Sequence, residues 1–256
     1  MKVVIFAGGL GTRMREETEF RPKPMIEIGG RPVLWHIMKV YAKFGFNEFV
    51  VCAGYKSHVI KGFFQDYASH SQDFTTTLGD SDSTVFHGEN GEQGWKVTVA
   101  DTGPTTQTGG RLLKVQQYIG DETFMCTYGD GIAPVNLPEL LDTHERSKKL
   151  ATMTVTRQHS RFGVVQMDSE GIVSSFREKP LVKDLISIGF FVFEPGIFQL
   201  LGEDSVLENE PLQNLAHSKD LAAYRHDGFW QPMDTYREFI DLNALWEADK
   251  APWKIW

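Results

Sequence analysis

The sequence predicts an α/β fold built on a mixed, mainly parallel sheet. A short β-branched and aromatic run, Lys2–Ala7, breaks at Gly8-Gly9, the pattern of a buried strand feeding a tight turn. Beyond it, apolar segments of strand length alternate with segments whose apolar residues recur at helical spacing. The 256 residues suffice for one large α/β domain.

Taken in order, the periodicity predicts a helix over 33–44, a strand over 49–53 and a helix over 57–67. From 72 to 110 the chain becomes polar and glycine-rich, with one alternating segment at 95–100, so this stretch reads as a small β-rich insertion of loops and hairpin strands. Order returns with a strand over 123–128 and a helix over 137–148. Strands over 151–156, 163–167 and 172–176 follow, and the last of these resemble a meander, which makes the sheet mixed. A strand over 188–193, helices near 195–201 and 210–217, and a closing helix over 235–248 complete the chain. With no internal repeat or low-complexity linker, residues 1–256 read as a single domain carrying the insertion.

Composition narrows the function classes. An apolar fraction of 41%, 23% charged residues and 18 Phe belong to a globular protein. The formal charge of −8 argues against a nonspecific nucleic-acid surface, so a polyanionic ligand must meet a local cationic pocket. The opening MKVVIFAGG is too short an apolar run for a signal peptide or a membrane span, and a cytoplasmic protein is expected. Cys52 and Cys126 each sit in an apolar run and read as buried thiols.

The chemistry concentrates at strand ends. Ala7, Gly8, Gly9, Gly11, Thr12 and Arg13 follow the first strand and present backbone N–H groups at the carboxyl edge of the sheet, where a phosphate cradle forms. The third glycine of a dinucleotide fingerprint is absent, with Arg13-Met14 near its place, and no Gly-Lys-Ser/Thr follows. Lys23 stands between Pro22 and Pro24, which hold the backbone extended; it is either a solvated loop lysine or a fixed cation beside the cradle. Asp130, between Gly129 and Gly131 directly after a strand, reads as a turn residue or as a Mg²⁺ ligand at the same edge. Asp234 precedes a helix, where it is an N-cap, a second carboxylate of the site, or both. Glu178-Lys179-Pro180 repeats the lysine-before-proline arrangement, as an edge ion pair or as a second cation for a second phosphate.

Together AGGLGTRM, RPKPM, YGDG, FREKP and FWQPMDT resemble the sugar-1-phosphate nucleotidyltransferases over essentially the whole chain. Asp101-Thr102-Gly103, Thr108-Gly109-Gly110-Arg111-Leu112 and Lys250-Ala251-Pro252-Trp253-Lys254 are similar to the cytidylyl branch of that family. The resemblance implies a Rossmann-like, GT-A-like three-layer sandwich. It implies an enzyme of nucleotide-sugar biosynthesis, in the service of O-antigen or capsule, that joins CTP and glucose 1-phosphate into CDP-glucose and pyrophosphate. The cofactor it implies is Mg²⁺, held by Asp130 and Asp234. Ala7, Gly8, Gly9, Gly11, Thr12 and Arg13 would then embrace the triphosphate, Lys23 would stabilise the attacked phosphate, and Gly110 and Arg111 would meet the cytosine. Tyr128, Glu178, Lys179, Ser187, Ile188 and Gly189 would bound the sugar phosphate, with Lys179 gripping its phosphate. A homo-oligomer, a hexamer in relatives, is implied as well.

One departure concerns the acceptor: Ser187-Ile188 stand where the family usually carries Asn-Gly, and the loop from Pro180 to Ile186 looks shortened. Losing an amide that would bond sugar hydroxyls leaves room for another sugar phosphate or a phosphorylated polyol. A nucleotide-sensing or scaffold protein of the same fold would be expected to lack charged site residues, and none is missing. A dinucleotide-dependent oxidoreductase is disfavoured by the missing glycine and by Lys23.

Overall fold

Val3, Ile5 and Ala7 turn to one apolar layer and Val4 and Phe6 to another, the period of two that marks a strand buried on both faces. In the computed structural model, which describes residues 1–79, 83–88, 91–92, 94–160 and 162–256 and leaves the side chains of Arg13, Arg15 and Glu16 outside that description, this run is strand β1, Lys2–Ala7. It lies inside a seven-stranded sheet with β2 (Glu48–Ala53), β3 (Lys96–Asp101), β4 (Phe124–Tyr128), β5 (Ala151–His159), β6 (Leu181–Phe193) and β7 (Leu221–Arg225). The spatial order is β7-β5-β6-β4-β1-β2-β3. Strand β1 runs parallel to β2 and β4, β2 to β3, and β5 to β7, whereas β6 is antiparallel to both β4 and β5.

Helices cover both faces: α1 (Val33–Lys43), α2 (Ser57–Gln65), α3 (Thr108–Lys114), α4 (Leu137–Ser147), α5 (Glu210–His217) and α6 (Tyr236–Glu247). Leu34 of α1, Ile60 of α2, Leu140 of α4 and Leu242 of α6 join the core on the side of Val3 and Ile5. Leu112 of α3 and Leu215 of α5 join the core on the side of Val4 and Phe6, giving three layers. Helix boundaries follow local chemistry. Asn136 accepts from the Glu139 N–H at the start of α4, and Lys148 ends it in the left-handed region at φ +51°. Helix α6 opens with a capping box between Thr235 and Glu238.

Several expectations are corrected. The alternating segment 95–100 is no hairpin strand: Lys96–Asp101 is edge strand β3, in register with β2 from Glu48↔Lys96 to Ala53↔Asp101, and its alternation reflects one half-buried face. Hairpin pairing in that region is Asp73–Thr75 with Val85–His87. Thr108–Lys114 is helical, and the helix expected over 57–67 ends at Gln65, before a separate short helix, Tyr67–Ser71. Val164–Met167 and Val173–Arg177 pair with each other in a ribbon outside the central sheet, so the sheet is mixed because of β6 instead. Residues 181–186, expected as loop, extend β6 because β5 continues to His159 and offers it a partner, His159↔Leu181. Strand β7 was not expected; Leu221-Ala-Ala-Tyr-Arg carries no β-branched residue to announce it.

Cys52 and Cys126 are buried and free, and burial pushes the Cys52 thiol up to about 12. Among the described residues no helix is long and apolar enough to cross a membrane.

Candidate active site

Strands β1 and β4 are parallel neighbours that end together, Phe6 opposite Tyr128, so their following turns emerge side by side. The Gly129 N–H donates to the Phe6 carbonyl at 2.9 Å, which fixes Asp130 next to the glycine loop. A two-rung antiparallel ladder, Gln231↔Ile132 and Pro232↔Gly131, brings in the distant segment, and the Met233 N–H donates to the Asp130 carbonyl at 2.8 Å. That ladder is why carboxylates 104 positions apart, Asp130 and Asp234, converge.

Lys23 completes the cluster. Its ammonium donates to Asp130 Oδ2 at 2.6 Å and also to Asp234 Oδ1, with 12% of the lysine side chain exposed. Pro22 is extended as expected, but Lys23 itself opens a 3₁₀ turn, Lys23–Met25, closed by the Met25 N–H on the Pro22 carbonyl. Burial alone would lower the Lys23 pKa; the Asp130 and Asp234 carboxylates outweigh it and hold the ammonium above the ordinary lysine value. Asp234 is not the cap of α6, since Thr235 takes that place, and its carboxylate is turned to Lys23.

Two cavities meet at this cluster. One, of about 410 Å³, is walled by Ala7, Gly8, Gly9, Gly11 and Thr12 on the loop side and by Thr106, Gln107, Thr108 and Arg111 opposite. The other, of about 310 Å³, is walled by Gln158, Ser187, Ile188, Trp230 and Pro232. Tyr128, Asp130 and Asp234 belong to both walls. Two ligands seated in these cavities would therefore face each other across the carboxylates and the Lys23 ammonium.

Arg111 shapes the first cavity from behind. Arg111 is 4% exposed, and its guanidinium donates to Thr102 Oγ1 at 2.6 Å and to the carbonyls of Gly103 at 2.8 Å and Gly8 at 2.9 Å. A side chain at position 8 would begin 2.0 Å from Arg111 Nη1, so glycine there is a packing requirement. Arg111 thus ties the end of β3 to the glycine loop.

The family model "Nucleotidyl transferase" matches residues 2–248. The chain belongs to the nucleotidyl transferase family. It is 47% identical over 259 aligned residues, covering all of both chains, to the glucose-1-phosphate cytidylyltransferase of Salmonella typhi. The mannose-1-phosphate guanylyltransferase 1 of Arabidopsis thaliana is 26% identical over 269 residues, spanning all of this chain and 68% of that protein. The fold of the present chain matches the crystal structure of a UDP-glucose pyrophosphorylase complexed with UDP-glucose, with a TM-score of 0.69, 17% identity and coverage of 97% of this chain and 98% of that one.

Within this family frame, the residues singled out in the sequence fall into three groups. Ala7, Gly8, Gly9, Gly11, Thr12, Lys23, Arg111, Tyr128, Asp130, Asp234, Ser187 and Ile188 all line the paired cavities. Ile188 does so only by an edge, being 3% exposed and packed into the core, while the Ser187 hydroxyl accepts from the Gly189 N–H at 3.4 Å. Gly189 itself backs Tyr128: it sits at φ +80°, and a Cβ there would lie 2.0 Å from the Tyr128 ring.

Other positions are not brought to the walls. Gly110 packs its backbone on the 203–205 turn, with its N–H on the Ser205 carbonyl at 3.2 Å, so it meets that turn where cytosine contact was expected. Glu178 and Lys179 are exposed and line neither cavity. The chain reverses there, with Lys179 at φ +43°, as it passes from the outer ribbon into β6. Arg13 lies in the 3₁₀ turn Thr12–Met14, and its side chain is outside the described residues.

Residues not singled out one by one in the sequence also shape the site. Glu208 accepts from the Tyr128 hydroxyl and from Thr108 Oγ1. Gln158, in an otherwise ordinary strand, reaches the second cavity. Trp230, inside the FWQPMDT motif, lines the same cavity, and its indole N–H has no hydrogen-bond partner among the described residues.

Proposed function

We propose that this protein is a glucose-1-phosphate cytidylyltransferase, joining CTP and glucose 1-phosphate into CDP-glucose with release of pyrophosphate. The observation that carries the chemistry is the sharing of Asp130, Asp234 and Tyr128 by two adjoining cavities with Lys23 at their junction. The choice of substrates is supported by the full-length 47% identity to a relative of that name.

The triphosphate lies in the larger cavity along the N–H groups of the glycine loop, and the sugar phosphate lies in the smaller one. A phosphate monoester, with its second ionisation near ~6, is already dianionic at neutral pH, so no general base is needed. Its oxygen attacks the α-phosphorus in line; the new O–P bond forms as the bond to the β-phosphate bridge breaks, and the electron pair leaves on pyrophosphate. Charge repulsion is the main obstacle: two like charges ~4 Å apart repel by about 4 kcal/mol at an effective dielectric of ~20. Lys23 stands where the attacked phosphate must lie and offsets that repulsion in the transition state.

Mg²⁺ fits the paired carboxylates. Asp130 and Asp234 already hold one cation, the Lys23 ammonium, between them. Mg²⁺ is ordinarily held by one or two carboxylates together with phosphate oxygens and water, which a pair such as Asp130 and Asp234 can supply beside a bound triphosphate. Bound there, the ion would neutralise phosphate charge.

Exposed apolar side chains along the outer ribbon, Phe162, Val165, Met167, Ile172, Val173 and Phe176, support a homo-oligomer. Light scattering giving a multiple of 29.0 kDa is the expected result.

The test is pyrophosphate release from each of the four common nucleoside triphosphates paired with glucose 1-phosphate, then from CTP paired with mannose, fructose and glycerol phosphates. CTP with glucose 1-phosphate should give the highest kcat/KM; another pair winning would replace the substrate assignment, and no release with any pair would remove the activity.

A further inference from the structure

Among the described residues, Tyr128 is the only aromatic residue that lines both cavities, and one face of its ring packs directly on the backbone of Gly189. Gly189 presents no side chain to it, and Phe6 and Phe191 touch it at centroid distances of 5.8 and 6.0 Å. The polar end of the ring is anchored by its hydroxyl, which donates to Glu208 Oε1. The other oxygen of the same carboxylate accepts from Thr108 Oγ1 at 2.6 Å. Thr108 begins α3 on the opposite wall of the larger cavity, and its hydroxyl also accepts from the Leu207 N–H at 2.9 Å. The turn that carries Glu208 is stitched to the same helix by the Gly110 N–H on the Ser205 carbonyl. Glu208 itself lines neither ligand cavity; it borders a separate, largely apolar hollow behind Tyr128.

We propose that Glu208 is a positioning residue of the transfer reaction, one carboxylate that clamps Tyr128, which borders both cavities, to Thr108 on the nucleotide side and so sets the spacing of the two bound esters. The inference rests on the nucleotidyl-transfer reading and deepens it. A bidentate clamp of this kind uses both oxygens of a carboxylate, each as an acceptor, and no other residue type of that length supplies two equivalent acceptors. Misplacing reacting groups by about 1 Å costs on the order of 10²-fold in rate, so an anchor outside both cavities still reaches the chemistry. Burial, then the Glu208 carboxylate, raises the Tyr128 pKa, which keeps the phenol protonated and donating.

The experiment is steady-state kinetics of pyrophosphate release with CTP and glucose 1-phosphate for wild type, Glu208→Ala, Glu208→Gln, Tyr128→Phe and the Glu208→Ala/Tyr128→Phe double variant. Losing an anchor between a hydroxyl and a carboxylate predicts a fall of roughly 10-fold or more in kcat/KM for Glu208→Ala, with both substrate KM values raised. Glu208→Gln, which keeps one acceptor oxygen, should recover part of the loss. Because Glu208 acts on Tyr128 through its hydroxyl, the double variant should lose clearly less than the product of the two single losses. Wild-type kcat/KM in Glu208→Ala, or single losses that simply multiply, would overturn the clamp. If Glu208→Ala does not fold, Glu208→Gln alone decides: an unchanged kcat/KM overturns it, a lowered one supports it. A wild type that releases no pyrophosphate would instead overturn the parent reading.

Discussion

Replacing Arg111 by alanine should destabilise the fold by about 4 kcal/mol, a prediction that follows from what its guanidinium touches. Three of its contacts are shorter than 3.0 Å: Thr102 Oγ1, the Gly103 carbonyl and the Gly8 carbonyl. Hydrogen bonds to a charged group contribute roughly 1.5–3 kcal/mol each, which gives about 4.5 kcal/mol at the lower bound. The longer contacts to the Ala53 and Pro104 carbonyls, at 3.4 and 3.5 Å, add little. Water entering the vacated space restores some bonding, which leaves about 4 kcal/mol. For a chain of 256 residues that corresponds to a drop in Tm of roughly 8–16 °C. Arg111→Lys should recover less than half of the loss, because one ammonium cannot reach all three acceptors. Thermal unfolding followed by circular dichroism, alongside calorimetry, provides the measurement. A Tm within about 2 °C of wild type for Arg111→Ala would refute the idea that this side chain braces the glycine loop and would return it to the role of a nucleobase contact.

Two further outcomes are expected. His36 is fully buried and neutral: its Nε2 is 2.8 Å from the Ile28 carbonyl, so that nitrogen carries the proton, while Nδ1 accepts from Trp253 Nε1–H at 3.3 Å. Burial pushes its pKa down from 6.5 to about 4. Between those values the unfolded chain binds the extra proton, so stability is complete above the upper pKa and falls by about 3 kcal/mol as pH drops through the window. Urea midpoints across that range should show the decline in wild type and a shallower one in His36→Gln; equal slopes would remove His36 as the cause. Asp130→Asn and Asp234→Asn should each raise the Mg²⁺ concentration giving half-maximal turnover, and an unchanged titration in either would take that residue out of the metal site.

The parts of the fold legible in the sequence are those whose burial is symmetric. Strand β1 and strand β4 are apolar on both faces, and their ends carry the turns that hold Gly8 and Asp130, so the position of both could be read from strand logic alone. Edge and outer strands were harder: β3 alternates like a hairpin strand, and β7 lacks β-branched residues, so tertiary pairing decided both. In the site, Lys23 and Asp130 were visible through flanking proline and glycine, whereas the meeting of Asp130 with Asp234 depends on a two-rung ladder that no local pattern encodes. Arg111 was legible as a site residue but not in its use, because its partners are backbone carbonyls of distant turns. Glu208, in the acidic stretch Glu203 to Glu210, carried no signal at all.

The reaction centre is tested most directly by turnover of Lys23→Ala with CTP and glucose 1-phosphate. Removing one charge partner of the transition state predicts a fall in kcat of roughly 10² or more, with CTP still bound by the glycine loop. A variant that turns over within about threefold of wild type would contradict the placement of the reacting phosphates at the junction of Lys23, Asp130 and Asp234.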